Sequence, residues 1–343
     1  MKAIKATLNA KDKIALNKVV PLDSPLFCTI EPSGLCNLKC GFCLLSLPIK
    51  ELEKKGHAPI LMSDETFNML LKQLSCFPSP LKTVVFARLG EPLLNKRLPS
   101  MISELKQRGL CQKTLVITNG IPLTHEMSDA LVAAGLDTIK FSINGLSADD
   151  YLHNCGIRVD YEKLINEMTY LYKNKKGTKI QVKILDKCLG DDFEKGKDKF
   201  YSLFGDICDE ISIERLFPMF GKEIAYDEMY FSDTPSPTSR YENNRAYAKV
   251  CATPFYKLSI AANGQVEYCF SRGIAAGSLY DMTLFEMWNS HARKEVLLNL
   301  LDGCHEGITS VCKTCGCSKD SVDENDNLDP YAHQIKERLL QKT

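Results

Sequence analysis

Three thiols stand within eight residues in Cys36-Asn37-Leu38-Lys39-Cys40-Gly41-Phe42-Cys43, a C-x3-C-x2-C spacing that constrains this chain more than any other stretch. The apolar, β-branched run Leu26-Phe27-Cys28-Thr29-Ile30 comes just before it, then Glu31-Pro32-Ser33-Gly34. That reads as a strand ending in a loop, with the thiols on the loop. A loop bends three sulfurs toward one point, which a helix or strand face cannot do at this spacing. Converging thiolates suit a soft metal centre, either zinc or an iron–sulfur cluster. Structural zinc wants four closed ligands and no fourth lies nearby, so a zinc knuckle stays the alternative on spacing alone. A four-iron cube held by three thiolates leaves one iron open to another ligand.

The octet, with an aromatic residue just before its third cysteine, resembles the cluster-binding loop of radical S-adenosylmethionine (SAM) enzymes. The resemblance implies that Cys36, Cys40 and Cys43 hold an Fe4S4 cluster whose open iron binds SAM. It also implies that Phe42 lies near the adenine.

Composition sets the compartment and the partners. Fifteen cysteines are many for a chain whose first residues, Met1 to Lys13, scatter charges and form no signal peptide. No stretch approaches a membrane span. A cytoplasmic chain is expected, where thiols serve metals or catalysis more often than disulfides. Cys28, Cys76, Cys111 and Cys208 sit in apolar surroundings and read as small core residues. Lys+Arg and Asp+Glu are both 43, and this balance argues against nucleic-acid and membrane-surface partners.

After the octet, strand-like and helix-like runs alternate. Strands are expected at 82–87, 114–118, 137–143, 179–185 and 211–216, and helices at 99–110, 124–134, 161–172 and 192–203. A further helix opens at Ser63-Asp64-Glu65. Six β-then-α repeats predict a parallel sheet with helices outside, in the α/β class, with ligand groups at the carboxyl ends of the strands. An ordinary doubly wound sheet fits the same pattern. The family resemblance implies a partial (β/α)6 TIM-like barrel over 26–216, after an N-terminal extension at 1–25.

Two strand ends carry further resemblance. Gly90-Glu91-Pro92 resembles the family's Gly-Gly-Glu-Pro motif, with Leu89 in place of the first glycine. The implied role of Gly90 and Glu91 is to bind the SAM amino group. Ser142-Ile143-Asn144-Gly145 resembles the family's Ser-Ile-Asp-Gly. There Ser142 and Asn144 are candidates for the SAM ribose or carboxylate, although a satisfied strand hydroxyl explains Ser142 equally well. Lys183 and Arg215 are the candidate catalytic or substrate-binding cations, and each also fits a surface position.

From 217 to 250 the pattern dissolves into Pro218, Gly221, Pro235 and Pro237, as in a linker or substrate-covering insertion. Asn263-Gly264 between two alternating runs then predicts a hairpin, with Cys251 before it and Cys269 on its second strand. One helix is expected over 281–301, followed by Cys312-Lys313-Thr314-Cys315. Two separated cysteines and a C-x2-C make a four-thiolate site, with a zinc ribbon as one occupant. A unit this small gains from a metal staple. The layout over 251–317 resembles the SPASM/Twitch extension of radical SAM enzymes, a small α+β iron–sulfur domain. The resemblance implies that Cys251, Cys269, Cys312 and Cys315 hold an auxiliary Fe4S4 cluster, with Cys304 and Cys317 unassigned. Residues 318–343 close the chain with a helix from Pro330 to Gln341.

A single auxiliary cluster is similar to the layout of 2-deoxy-scyllo-inosamine dehydrogenases. It implies an oxidoreductase that forms a 5′-deoxyadenosyl radical and takes hydrogen from a small polar substrate, a sugar or aminocyclitol alcohol. The auxiliary cluster would accept an electron, and an external flavodoxin or ferredoxin would supply one. The alternative is maturation of a ribosomal peptide or protein by thioether formation, epimerisation or side-chain oxidation. About 25 residues precede the first strand, which points away from a leader-binding domain.

Overall fold

The computed structural model describes residues 2–5, 14–216, 248–269, 274–304, 308–315 and 324–341. Ten strands form one sheet. They are β1 (Ile4–Lys5), β2 (Phe27–Ile30), β3 (Leu81–Phe86), β4 (Cys111–Thr118), β5 (Thr138–Ile143), β6 (Lys179–Leu185), β7 (Glu210–Glu214), β8 (Lys257–Ile260), β9 (Gln265–Glu267) and β10 (Ala275–Ser278). Their order is β1-β7-β6-β5-β4-β3-β2-β8-β9-β10. From β2 to β7 every pairing is parallel, which is the expected partial (β/α)6 barrel.

Four of the five crossover helices start where a side-chain oxygen takes an orphan backbone N–H. Ser63 caps α1 (Asp64–Leu74), Thr124 caps α3 (His125–Ala133), Asp160 caps α5 (Tyr161–Asn174) and Asp192 caps α6 (Phe193–Phe204). The helix α2 (Leu98–Gln107) instead opens with a proline in its first turn. Strand residues alternate accordingly. In β5, Ile139, Phe141 and Ile143 are buried against the helices, while Lys140 and Ser142 take the other, less filled face. The same alternation buries Ile180, Val182 and Ile184 of β6 and leaves Lys183 and Leu185 on the inner side.

Several expectations needed correction. The N-terminal extension contributes a strand, β1, which pairs with β7 at the edge of the sheet. A helix α4 (Ala148–Cys155), absent from the expected pattern, runs from a Ser147 cap to Gly156 at φ 68°. The helix expected at 281–301 is two helices, α7 (Leu284–Trp288) and α8 (His291–Leu301). Thr283 and Glu286 form a capping box on α7, and Ser290 opens α8 with a cap of its own, so the chain turns between them. Cys28, Cys111 and Cys208 are buried, but Cys76 is exposed in the turn after α1, its thiol donating to Lys72 O at 3.5 Å. Of the insertion expected at 217–250, residues 217–247 lie outside the described residues, as does Cys317.

The hairpin expected around Asn263-Gly264 is the antiparallel β8–β9 pair. Its partner could not be read from local pattern: β8 lies parallel to β2, with Phe27 against Lys257 and Ile30 against Ile260. The C-terminal unit therefore continues the barrel sheet beyond the strand that leads to the thiol loop. A second core joins Leu16, Val20, Phe255, Leu297, Leu300, Ile335 and Leu339, so the closing helix α9 (Ala332–Gln341) packs on α8. No helix among the described residues is long and apolar enough to cross a membrane.

Candidate functional site

The thiol loop leaves β2 and is zipped to the loop after β3. Glu91 N donates to Leu35 O at 2.8 Å, and a Cβ on Gly90 would stand 1.8 Å from Ser33 O. Only glycine permits that approach. From the other side the end of α4 holds the loop: Lys39 N donates to Cys155 O and Gly41 N to Asn154 O, both at 3.1 Å.

This brings Cys36, Cys40, Phe42 and Cys43 to one cavity of about 260 Å³ at the carboxyl ends of the strands. Gly90, Glu91, Ser142 and Asn144 line the same cavity, and so do Lys183 and Arg215. Lys183 lies across from Ser142 in register and donates to Glu214 Oε2 at 2.9 Å. All ten residues expected in the barrel site are therefore gathered at one place.

Without metal the thiols are protonated at neutral pH. Burial pushes Cys36 and Cys43 up to about 12, and the neighbouring thiols add to it. A hydrogen bond to Cys155 and burial hold Cys40 up as well. Loading soft metal ions would release those protons. Three soft thiol donors lining one cavity are a donor set that fits an iron–sulfur cluster.

Glu91 has the chemistry of an ammonium acceptor. Thr118 Oγ1 donates to it at 2.6 Å, Asn119 N at 2.7 Å and Leu93 N at 2.9 Å, and its carboxylate keeps room for another donor on Oε2. Burial pushes its pKa up to about 7 against those three donors.

Two residues of the site were missed by sequence reasoning. Asn119, just after the strand expected at 114–118, lines the cavity and donates to Asn37 Oδ1 at 2.9 Å. Arg88 lines it too, with its side chain 1% exposed and its backbone at φ 124°, a region that L-residues avoid. Its Nη1 donates to Glu31 Oε2 at 3.4 Å and its Nη2 to Glu267 Oε2 at 2.7 Å. Glu31 directly follows β2 and Glu267 ends β9, so one buried guanidinium ties the barrel to the hairpin. The adjacent Gly-Glu-Pro was the only local signal.

The second thiol group stands on that hairpin side. Cys251 precedes β8, Cys269 follows β9, and Cys312 and Cys315 lie in and just after a short helix, Ser310–Thr314. Burial pushes Cys251 up to about 12, and Cys269 and Cys315 push it the same way. Burial and Cys315 likewise raise Cys312. Cys251 is thus near Cys269 and Cys315, and Cys312 near Cys315. Cys304 is exposed, its thiol 3.9 Å from Asp302 O. Arg293 anchors this unit from α8: it is buried, lies over the Trp288 ring, and donates to Trp288 O at 2.9 Å and Pro254 O at 3.0 Å.

Residues 30–185 match the radical SAM superfamily, and residues 251–316 match the SPASM iron–sulfur cluster-binding domain. A tungsten-containing aldehyde ferredoxin oxidoreductase cofactor-modifying protein of Pyrococcus furiosus is 32% identical over 120 residues, 34% of this chain and 30% of that relative. The chain therefore spans about a third of the curated relative it matches. Among solved structures, BtrN in complex with AdoMet and 2-DOIA has a TM-score of 0.54 at 15% identity, over 89% of this chain and 98% of BtrN. Streptococcus suis SuiB bound to precursor peptide SuiA has a TM-score of 0.57 at 17% identity, over 94% of this chain and 75% of SuiB. These likenesses are of fold. The chain carries a radical SAM domain, which takes an Fe4S4 cluster and SAM, followed by a SPASM domain with an auxiliary iron–sulfur cluster.

Proposed function

We propose that the protein is a radical SAM oxidoreductase that oxidises a small polar alcohol, of the sugar or aminocyclitol kind, to a ketone. Cys36, Cys40 and Cys43 hold the SAM cluster, and Cys251, Cys269, Cys312 and Cys315 the auxiliary one. When bound, the first cluster with SAM supplies a 5′-deoxyadenosyl radical, and the second an acceptor for one electron. The observation that carries this reading is the contact between Arg88 and Glu267. Arg88 lines the thiol cavity and grips Glu267, two residues before Cys269. That contact supports an electron path from the cavity toward Cys269, one of the four thiols assigned to the second cluster.

The chain's own residues supply the rest. Gly90 and Glu91 seat the SAM amino group, with Ser142 and Asn144 toward its ribose or carboxylate. Lys183 and Arg215 present donors to substrate hydroxyls. Oxidising a carbinol removes a hydrogen atom, an electron and a proton. We assign the proton to the Lys183 Nζ–Glu214 pair, whose atoms are 2.9 Å apart on the cavity side.

The test is anaerobic turnover of the reconstituted enzyme with polyols, aminocyclitols and peptides. The proposal expects a polyol or aminocyclitol to yield ketone and 5′-deoxyadenosine in equal amounts. A peptide maturase is the second reading, favoured by the fold likeness to SuiB, whose structure holds a precursor peptide. Product from a peptide alone, or a redox-neutral product, would refute the alcohol-oxidase reading.

A further inference from the structure

Two side chains outside the thiol triplet converge on Cys40. Asn144 Nδ2 donates to Cys40 Sγ at 3.6 Å, and the Cys155 Sγ lies 3.4 Å from the same sulfur. Both are fixed by their surroundings. Asn144 is 6% exposed, and its backbone carbonyl accepts from Asn154 Nδ2 at 2.7 Å. Cys155 is fully buried at the last turn of α4, where its own carbonyl holds Lys39 N. The other two sulfurs are served differently. Cys36 accepts from Leu38 N at 3.5 Å, with Asn119 Nδ2 at 3.9 Å, and Cys43 accepts from the backbone N–H groups of Leu45 and Leu44. Backbone donors persist through any ordinary substitution, whereas Asn144 and Cys155 at Cys40 are a choice of side chain.

We infer that Asn144 and Cys155 are positioning residues that set the reduction potential of the cluster held by Cys36, Cys40 and Cys43, by donating hydrogen bonds to the Cys40 thiolate. This rests on the ligand assignment made above. Once Cys40 is a thiolate ligand it can only accept, so the Cys155 S–H becomes the donor of that pair. Hydrogen bonds to a ligand sulfur stabilise the more negative, reduced cluster and raise its potential. Asn144 therefore has work beyond SAM. One of its two N–H bonds points at Cys40, and the other N–H and the carbonyl remain for the cofactor or for neighbours. An aspartate at this position, as the family's Ser-Ile-Asp-Gly pattern has, is ionised at neutral pH and donates nothing.

The test is an EPR-monitored redox titration of reconstituted full-length protein, with the spectrum of Cys36→Ala/Cys40→Ala/Cys43→Ala subtracted to remove the auxiliary cluster. Asn144→Leu and Cys155→Ala should each move the midpoint to lower potential, and the double variant further than either. Cys155→Ser restores a donor and should return the midpoint toward wild type. If Asn144→Leu fails to load iron, Asn144→Asp keeps the side-chain size without the donor and should show a downward shift at least as large as that of Cys155→Ala, its charge adding to the lost hydrogen bond. Unchanged midpoints in loaded variants would overturn the inference while leaving the ligand assignment standing. Wild type with no iron at the triplet would overturn the ligand assignment, and the inference with it.

Discussion

Replacing Arg88 is the sharpest perturbation of the junction between the two iron–sulfur units. Its side chain is 1% exposed, and the two carboxylates it bridges are 2% exposed (Glu31) and 12% exposed (Glu267). Glu31 keeps two other donors, Leu89 N and Ala262 N, both at 3.2 Å. Removing one partner of a buried ion pair costs about 3–5 kcal/mol, because a charge stays behind without its counterion. Arg88→Ala should cost that much, out of a typical total of about 5–15 kcal/mol. The backbone adds a second, opposite effect. At φ 124° a non-glycine residue stores about 1–3 kcal/mol of strain. Arg88→Gly releases that strain and loses about 0.4–1 kcal/mol through the freer unfolded chain. The glycine variant should therefore be more stable than the alanine variant by about 0.5–2 kcal/mol, the reverse of the usual order. Adding Glu267→Gln to Arg88→Met should recover at least about 1 kcal/mol, since it removes one stranded charge. Anaerobic urea unfolding of reconstituted protein, followed by far-UV circular dichroism at unchanged slope, reads all of these. An alanine variant within about 1 kcal/mol of wild type, or a glycine variant less stable than alanine, would refute the reasoning.

Gly90→Ala forces a Cβ to within 1.8 Å of Ser33 O and should cost about 1–3 kcal/mol, with SAM affinity falling tenfold or more by equilibrium dialysis. Glu91 gives a pH signature. Its pKa rises from 4.5 to about 7 on folding, so the folded chain keeps a proton that the unfolded chain releases between those values. Stability from this group is full below about pH 4.5 and falls by roughly 3 kcal/mol as pH rises through about 7. In SAM-free protein Glu91→Gln should lack that loss, and urea midpoints at pH 5 and pH 8 that change alike in both proteins would contradict it. Arg293→Leu strands the carbonyls of Trp288 and Pro254 beside Cys251 and should cost about 3 kcal/mol or more. Iron analysis should then show loss of the auxiliary cluster with the SAM cluster retained.

Local chemistry made much of this site legible. The octet 36–43, Gly90-Glu91 and Ser142/Asn144 carry strand-end motifs, and β-branched runs with caps and closing glycines mark most barrel elements. The hairpin was equally plain from Asn263-Gly264. What escaped depends on partners distant in sequence. No pattern in 257–260 announces that β8 will lie beside β2, and nothing at 4–5 announces β7. Arg88 looked like an ordinary residue before a motif, because its importance lies in Glu31 and Glu267, 57 and 179 residues away. Two misses were avoidable. Ser147 with Asp149 and Asp150 in the first turn and Gly156 at the end spelled out α4, the platform of the thiol loop. Thr283-x-x-Glu286 and Ser290 marked two helix starts inside what read as one helix.

The most direct test of the two-cluster reading is iron and sulfide content after anaerobic reconstitution. Wild type should hold about eight irons, and Cys36→Ala/Cys40→Ala/Cys43→Ala about four, retained by Cys251, Cys269, Cys312 and Cys315. Wild type with about four irons and a stoichiometric zinc, and a triple variant with none, would contradict it. The C-terminal unit would then be a structural zinc module, with no acceptor for the substrate's electron.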